Sequence, residues 1–147
     1  MDSWDPILLG NLAANHTIIV FDNRGIGNTT SGEQKFSIAQ FANDTAGLIE
    51  ALRIRKADVL AWSLGGVVAQ ELALNHPDRV GKLIIYASTC GGKESVPPSQ
   101  EVRNALTNQT GTAEDRIARL LPLFFPQEWR NQNPNYLEKI PKTRDNS

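Results

Sequence analysis

Cysteine is almost missing from this chain. Cys90 is the single one in 147 residues, which excludes an internal disulfide and any metal site built on cysteine. Histidine is nearly as scarce, with His16 and His76 alone available for proton transfer. No apolar run is long enough to span a bilayer, and the amino terminus carries no secretory signal pattern. The expectation is a cytoplasmic protein without a membrane partner. A surplus of charge is also lacking: 15 basic and 16 acidic residues are well mixed and leave a net charge of −1. That balance provides no electrostatic footprint for nucleic acid. No cofactor or metal is implied. The length suits one domain able to bury a real core.

What is present is organised around residues 57–75. Val59 to Trp62 is a short apolar run, readable as a strand buried on both faces, and Val67 to Leu74 is a helix with little polar surface. Ser63 and its neighbours alone separate them, so the chain must turn from strand to helix almost on that serine. Gly65 and Gly66 follow at once, although a glycine inside a helix costs about 1 kcal/mol relative to alanine. Two in the first turn point to close backbone approach. A side chain on so sharp a turn projects beyond the end of the sheet, and the Leu64 amide opens the helix beside it. A hydroxyl then stands next to a donor able to stabilise an oxyanion. The plainer alternative is that Ser63 merely caps the helix, a common use of serine.

Upstream, Asp5-Pro6 forms a helix start, followed by Ile7, Leu8, Leu9 and Leu12 as an apolar face. Residues 17–21, Thr-Ile-Ile-Val-Phe, form a β-branched, apolar strand pattern. His16 falls at its amino-terminal end, away from the carboxyl ends where parallel sheets gather their chemistry. The loop Asp22-Asn-Arg24-Gly25-Ile-Gly27-Asn-Thr29 runs on to Phe36. A nucleotide-binding reading of Gly25 and Gly27 lacks the third glycine, and the next helix starts some ten residues late. Ser37 and Gln40 predict a capping box, with Phe36 stapled to Phe41; Phe41, Thr45, Leu48, Ile49 and Leu52 form the expected buried stripe. Arg53, Arg55 and Lys56 suit the negative end of that helix.

Downstream, Pro77 stops the helix that follows Ser63. His76 therefore stands about three turns from Ser63, at 5.4 Å per turn, and cannot act on it as a base. Lys82 to Ala87 reads as the next strand, and Ser88 to Gly92 leaves its carboxyl end. Cys90 reads as an inert thiol. From Lys93 the texture changes. Val96-Pro97-Pro98 is a linker, and Thr112 to Asp115 caps a helix carrying Ile117, Leu120 and Leu121. Leu121 to Pro126, Trp129 and Tyr136-Leu137 are apolar patches among polar residues, the pattern of short helices covering something. Surface helices stapled to the core are the alternative.

Ala61-Trp62-Ser63-Leu64-Gly65-Gly66 resembles the G-x-S-x-G nucleophile elbow of the α/β-hydrolase family, with Ala61 in place of the first glycine. Asp22 to Thr29 is similar to the family's D-x-R-G-x-G-x-S loop, and His76 to Val80 to its H-P-x-R-V. The resemblance implies an α/β fold class, a partial α/β-hydrolase core over residues 1–92 and a helical lid over 93–147. It makes Ser63 the nucleophile and the Leu64 N–H an oxyanion donor, while Ala61, Trp62, Gly65 and Gly66 shape the elbow. Asp22, Arg24, Gly25 and Gly27 shape the floor of the site, and Asp44 is a structural hydrogen-bonder. In the family's terms the chain starts after the H-G loop and ends before the triad acid and histidine.

The expected activity is a serine hydrolase acting on esters, lactones or similar small acyl substrates, incomplete in this chain. The alternative is an inactive remnant binding an apolar ligand or a partner subunit. A three-stranded parallel sheet is expected, with residues 18–21 pairing directly with 59–62 and then 83–87. Its open edges would favour a homo-oligomer or a complementing chain.

Overall fold

Four of the six described helices start on a short polar side chain that satisfies an otherwise orphaned amide. Asp5 accepts from the Ile7 N–H at 2.7 Å and opens α1 (Pro6–Ala13). Ser37 accepts from the Gln40 N–H at 3.0 Å and opens α2 (Ile38–Ala51). Only half of the expected box forms there, because the Gln40 side chain donates to Asp44 at 2.9 Å. Phe36 and Phe41 do meet, with ring centroids 6.0 Å apart. The computed structural model describes residues 4–135, which fall into two units dividing between Ser95 and Val96.

The first unit continues with β1 (Ala57–Trp62), α3 (Leu64–Asn75) and β2 (Val80–Tyr86). The strands are parallel, in a register that pairs Val59 with Leu83 and Trp62 with Tyr86. The register shifts between Ala57 and Val59, and there the Asp58 carboxylate accepts from the Lys82 N–H at 2.7 Å. Helix α2 packs on α3 around Ala42, Ala46, Val68, Leu72 and Val80. Leu72 is only 1% exposed, a burial that contributes roughly 1.5–3 kcal/mol. The buried line of α2 is Ala42, Ala46 and Ile49, while Leu52 is 48% exposed. The expected stripe holds at Ile49 and in part at Phe41, which packs against the core, but its centre moves to Ala42 and Ala46, small residues that permit close helix approach.

The sheet has two strands, β1 and β2, among the described residues. The expected third strand at 17–21 does not form, and no described backbone hydrogen bond joins that segment to β1. Its apolar residues stay partly open, Ile19 at 45% and Phe21 at 41% exposed. Extended propensity alone does not make a strand; a ladder does. Here the chain following 17–21 is tied to α2 through Arg24 and Asp44 (2.6 Å). The last strand also ends one residue early, because Ala87 adopts φ 49°.

The second unit holds α4 (Gln100–Thr107), α5 (Ala113–Phe124) and α6 (Gln127–Gln132). Ser99 caps α4, and Thr112 with Asp115 forms a full capping box at α5. The Thr112 amide and hydroxyl hold the Asp115 carboxyl below the usual carboxylate range. Neither α4 nor α5 contains a buried residue, and Phe125 stacks on Trp129 at 4.5 Å. The Tyr136-Leu137 patch lies outside the described residues. Among those described, no helix is long and apolar enough to cross a membrane.

Candidate active site

Strand β1 delivers the chain to Ser63 and α3 carries it away, with no loop between them. The turn is made by Ser63 itself, at φ 53° and ψ −125°. That conformation costs of order 1–3 kcal/mol for a residue with a side chain, and the surroundings enforce it from both sides. The Ser63 N–H donates to the Tyr86 carbonyl at 3.2 Å, and the Ser63 carbonyl accepts from Gly66 at 2.9 Å. The side chain makes no cap hydrogen bond and is exposed. Leu64 is 61% exposed, so its amide opens the helix next to solvent. A plain N-cap has extended backbone and a bonded hydroxyl; Ser63 has neither.

The neighbours explain the glycines. A Cβ on Gly66 would overlap the Ser88 side chain and lie 2.8 Å from Ile85 Cγ2, whereas one on Gly65 would meet nothing within 4 Å. Gly66 is therefore a packing requirement, set by β2 and the residue that follows its turn. Ala61 is buried in β1, and the ring of Trp62 stacks on that of Tyr86 at 6.3 Å. Ala87, directly after β2, also has positive φ, as Arg53 does after α2. Adjacent strands thus each end in a left-handed residue, Ser63 and Ala87. Sequence reasoning did not reach Ala87, because alanine carries no signal for this conformation.

The loop of Asp22, Arg24, Gly25 and Gly27 folds on itself and onto α2. Arg24 donates Nε and Nη2 to Asp44 at 2.7 and 2.6 Å, and Nη1 to the Ser31 carbonyl at 2.7 Å. The guanidinium holds the Asp44 carboxyl below its ordinary range, with Gln40 adding a second donor. Gly25 and Gly27 both have positive φ, and a side chain on Gly27 would run into Asp22. The structure brings these four residues together with Asp44, and separately brings Ala61 to Gly66 together with Tyr86 and Ser88.

His76 caps the far end of α3, about 18 Å along a helix of 12 residues, and its Nε2 pairs with Asn43 at 2.8 Å. His16 follows α1 in a bend. Neither is bonded to Ser63. Cys90 is exposed in the loop after β2, its thiol against the Gly91 carbonyl at 3.6 Å. No group of three or more potential metal ligands occurs among the described residues.

The alpha/beta hydrolase fold family model matches residues 1–140. A curated relative from Caulobacter sp. (strain K31), named "Putative carbamate hydrolase RutD", is 31% identical over 137 residues, covering 92% of this chain and 50% of the relative. Among solved structures, "Est816 as an N-Acyl homoserine lactone degrading enzyme" superposes with a TM-score of 0.56 at 27% identity, over 81% of this chain and 44% of that one. The enol-lactonase from Burkholderia xenovorans LB400 gives 0.57 at 26% identity, over 81% and 45%. The chain spans about half the length of the curated relatives it matches. With the family model covering nearly all of it and a solved fold shared over four-fifths, the chain belongs to the α/β-hydrolase fold family.

Proposed function

We propose that this chain is part of a cytoplasmic serine hydrolase acting on carboxylic esters, lactones or similar small acyl substrates, with Ser63 as nucleophile. The observation that carries this reading is the backbone of Ser63, φ 53° and ψ −125°, with an exposed hydroxyl free of any cap bond. The Ser63 oxygen attacks the acyl carbon, and its proton passes to a general base. The oxyanion is held by the Leu64 N–H at the start of α3, where the helix dipole favours negative charge. Collapse expels the alcohol or amine and leaves an acyl-serine, which water cleaves to the acid. Carbamates and lactones, named for the relatives above, are both carbonyl compounds with a heteroatom leaving group. In this reading Asp22, Arg24, Gly25 and Gly27 shape the floor of the site, and the helices beyond residue 92 serve as the lid. The base, the triad acid and a second oxyanion donor come from outside the residues described.

A hydroxyl without a base is a weak nucleophile at neutral pH. The purified chain should therefore turn over a p-nitrophenyl ester only slowly, and Ser63→Ala should reduce that rate to the buffer background. Turnover that survives Ser63→Ala would remove the serine from the mechanism. A second reading, a non-catalytic module that pairs with another copy or a complementing chain, draws support from the open apolar β2. There Ile84 is 55% and Tyr86 44% exposed. Concentration-dependent association with no Ser63-dependent turnover would favour it.

A further inference from the structure

Gln70 lies on α3 about two turns beyond Ser63, and both bonds from its amide nitrogen go to backbone carbonyls. Nε2 donates to Gly66 at 3.1 Å within the helix, and to Thr89 at 3.0 Å across to the loop that leaves β2. Thr89 organises that loop in turn. Its hydroxyl accepts from the Gly91 N–H at 3.0 Å and meets the Ser95 hydroxyl at 3.0 Å. Residues 88–95 together line an open hollow of about 720 Å³. The root of this loop is fixed against the elbow: Ser63 bonds to Tyr86, Ala87 turns with positive φ, and Ser88 packs on Gly66. Beyond the root, the contact of Gln70 with Thr89 is what ties the loop back to α3.

We propose that Gln70 is a positioning residue: through Thr89 it holds residues 88–95 beside Ser63 as one wall of the acyl-substrate site. This rests on the hydrolase reading above. The role demands an amide of this length, since glutamate has no donor when ionised and asparagine is one carbon shorter.

The test compares Gln70→Met, which keeps length and helix preference but loses both donors, with Thr89→Ala, which keeps the carbonyl that accepts from Gln70 and removes the hydroxyl that orders the loop through Gly91 and Ser95. Amide exchange at Gly91 should quicken by about tenfold in Gln70→Met, while Val68 and Leu72 amides in α3 keep their protection. For Ser63-dependent hydrolysis of p-nitrophenyl butyrate, both variants should raise KM by roughly fivefold with kcat within about twofold, the signature of lost substrate placement. Unchanged Gly91 exchange in Gln70→Met overturns the clamp. Faster exchange with an unaltered KM overturns the wall. If wild-type turnover does not depend on Ser63, the hydrolase reading and the wall fall together, and Gly91 exchange alone decides whether Gln70 holds the loop.

Discussion

Three of the described helices begin on a serine, and one of them differs in every respect that matters. Ser37 and Ser99 have negative φ, and each hydroxyl accepts from the amide three residues on. Ser63 has φ 53°, and its hydroxyl caps nothing. At Ser37 and Ser99 the side chain serves the helix. At Ser63 the helix and the adjacent strand serve the side chain, since the Tyr86 carbonyl and the Gly66 amide fix the backbone in a strained turn and leave the hydroxyl free. Serine before a helix is thus an ambiguous signal by itself. What separates the two uses is the strand that ends one residue earlier and the crowding of the first turn against its neighbour.

That crowding can be broken directly. Gly66→Val would drive its side chain into Ser88 and Ile85, and overpacking of this kind costs typically 1–3 kcal/mol. At Gly65, where a Cβ meets nothing, replacement by alanine should be neutral or stabilise by up to about 1 kcal/mol. Urea unfolding of the two variants against the parent measures both. Equal effects at the two glycines would show that the elbow is not packed against β2 as described.

The serines themselves sharpen the contrast. Ser37→Ala removes a working cap and should cost about 1 kcal/mol. Ser63→Ala removes no cap, so its stability should match the parent within a few tenths of that, while its ester turnover disappears. Thermal melts and p-nitrophenyl ester assays on the same two proteins separate the roles. A Ser63→Ala variant as destabilised as Ser37→Ala would return Ser63 to the ordinary class of caps.

Features set by a few adjacent residues were open to sequence reasoning. The strand–serine–helix junction, the Asp5, Ser37 and Thr112 caps and the Phe36–Phe41 contact are all local in chain. What failed required knowledge of a distant partner. Residues 17–21 have strand composition, yet strand formation depends on a neighbour that β1 does not provide. The phase of α2 followed the largest apolar residues, whereas close packing on α3 selected Ala42 and Ala46. The reach of Gln70 to Thr89 spans 19 residues and two elements, and a polar residue on a helix announces nothing of it. Asp44 was placed correctly as a hydrogen-bonder, but its two-pronged grip on Arg24, 20 residues away, was not.

That grip offers the smallest of the expected effects, and its direction is fixed by linkage. Arg24 first, and Gln40 after it, favour the ionised Asp44 carboxyl and lower its pKa in the folded chain. A carboxyl so depressed adds stability that is fully present above its unfolded value, about 3.9. The contribution is lost as pH falls through the lower folded value, because the folded state then takes up a proton later than the unfolded one. Both side chains keep some contact with water, Arg24 at 15% and Asp44 at 27% exposed, so solvent and salt screen the pair and the effect is modest. Asp44→Asn should therefore lower Tm slightly at pH 7, and the gap between parent and variant should close below about pH 3.9. Among the described residues no carboxylate is bonded to Ser63, so Ser63→Ala should leave the acid limb of the Tm profile unaltered. A gap that persists undiminished at pH 2 would mean that Asp44 supports the loop by shape alone, with its charge idle.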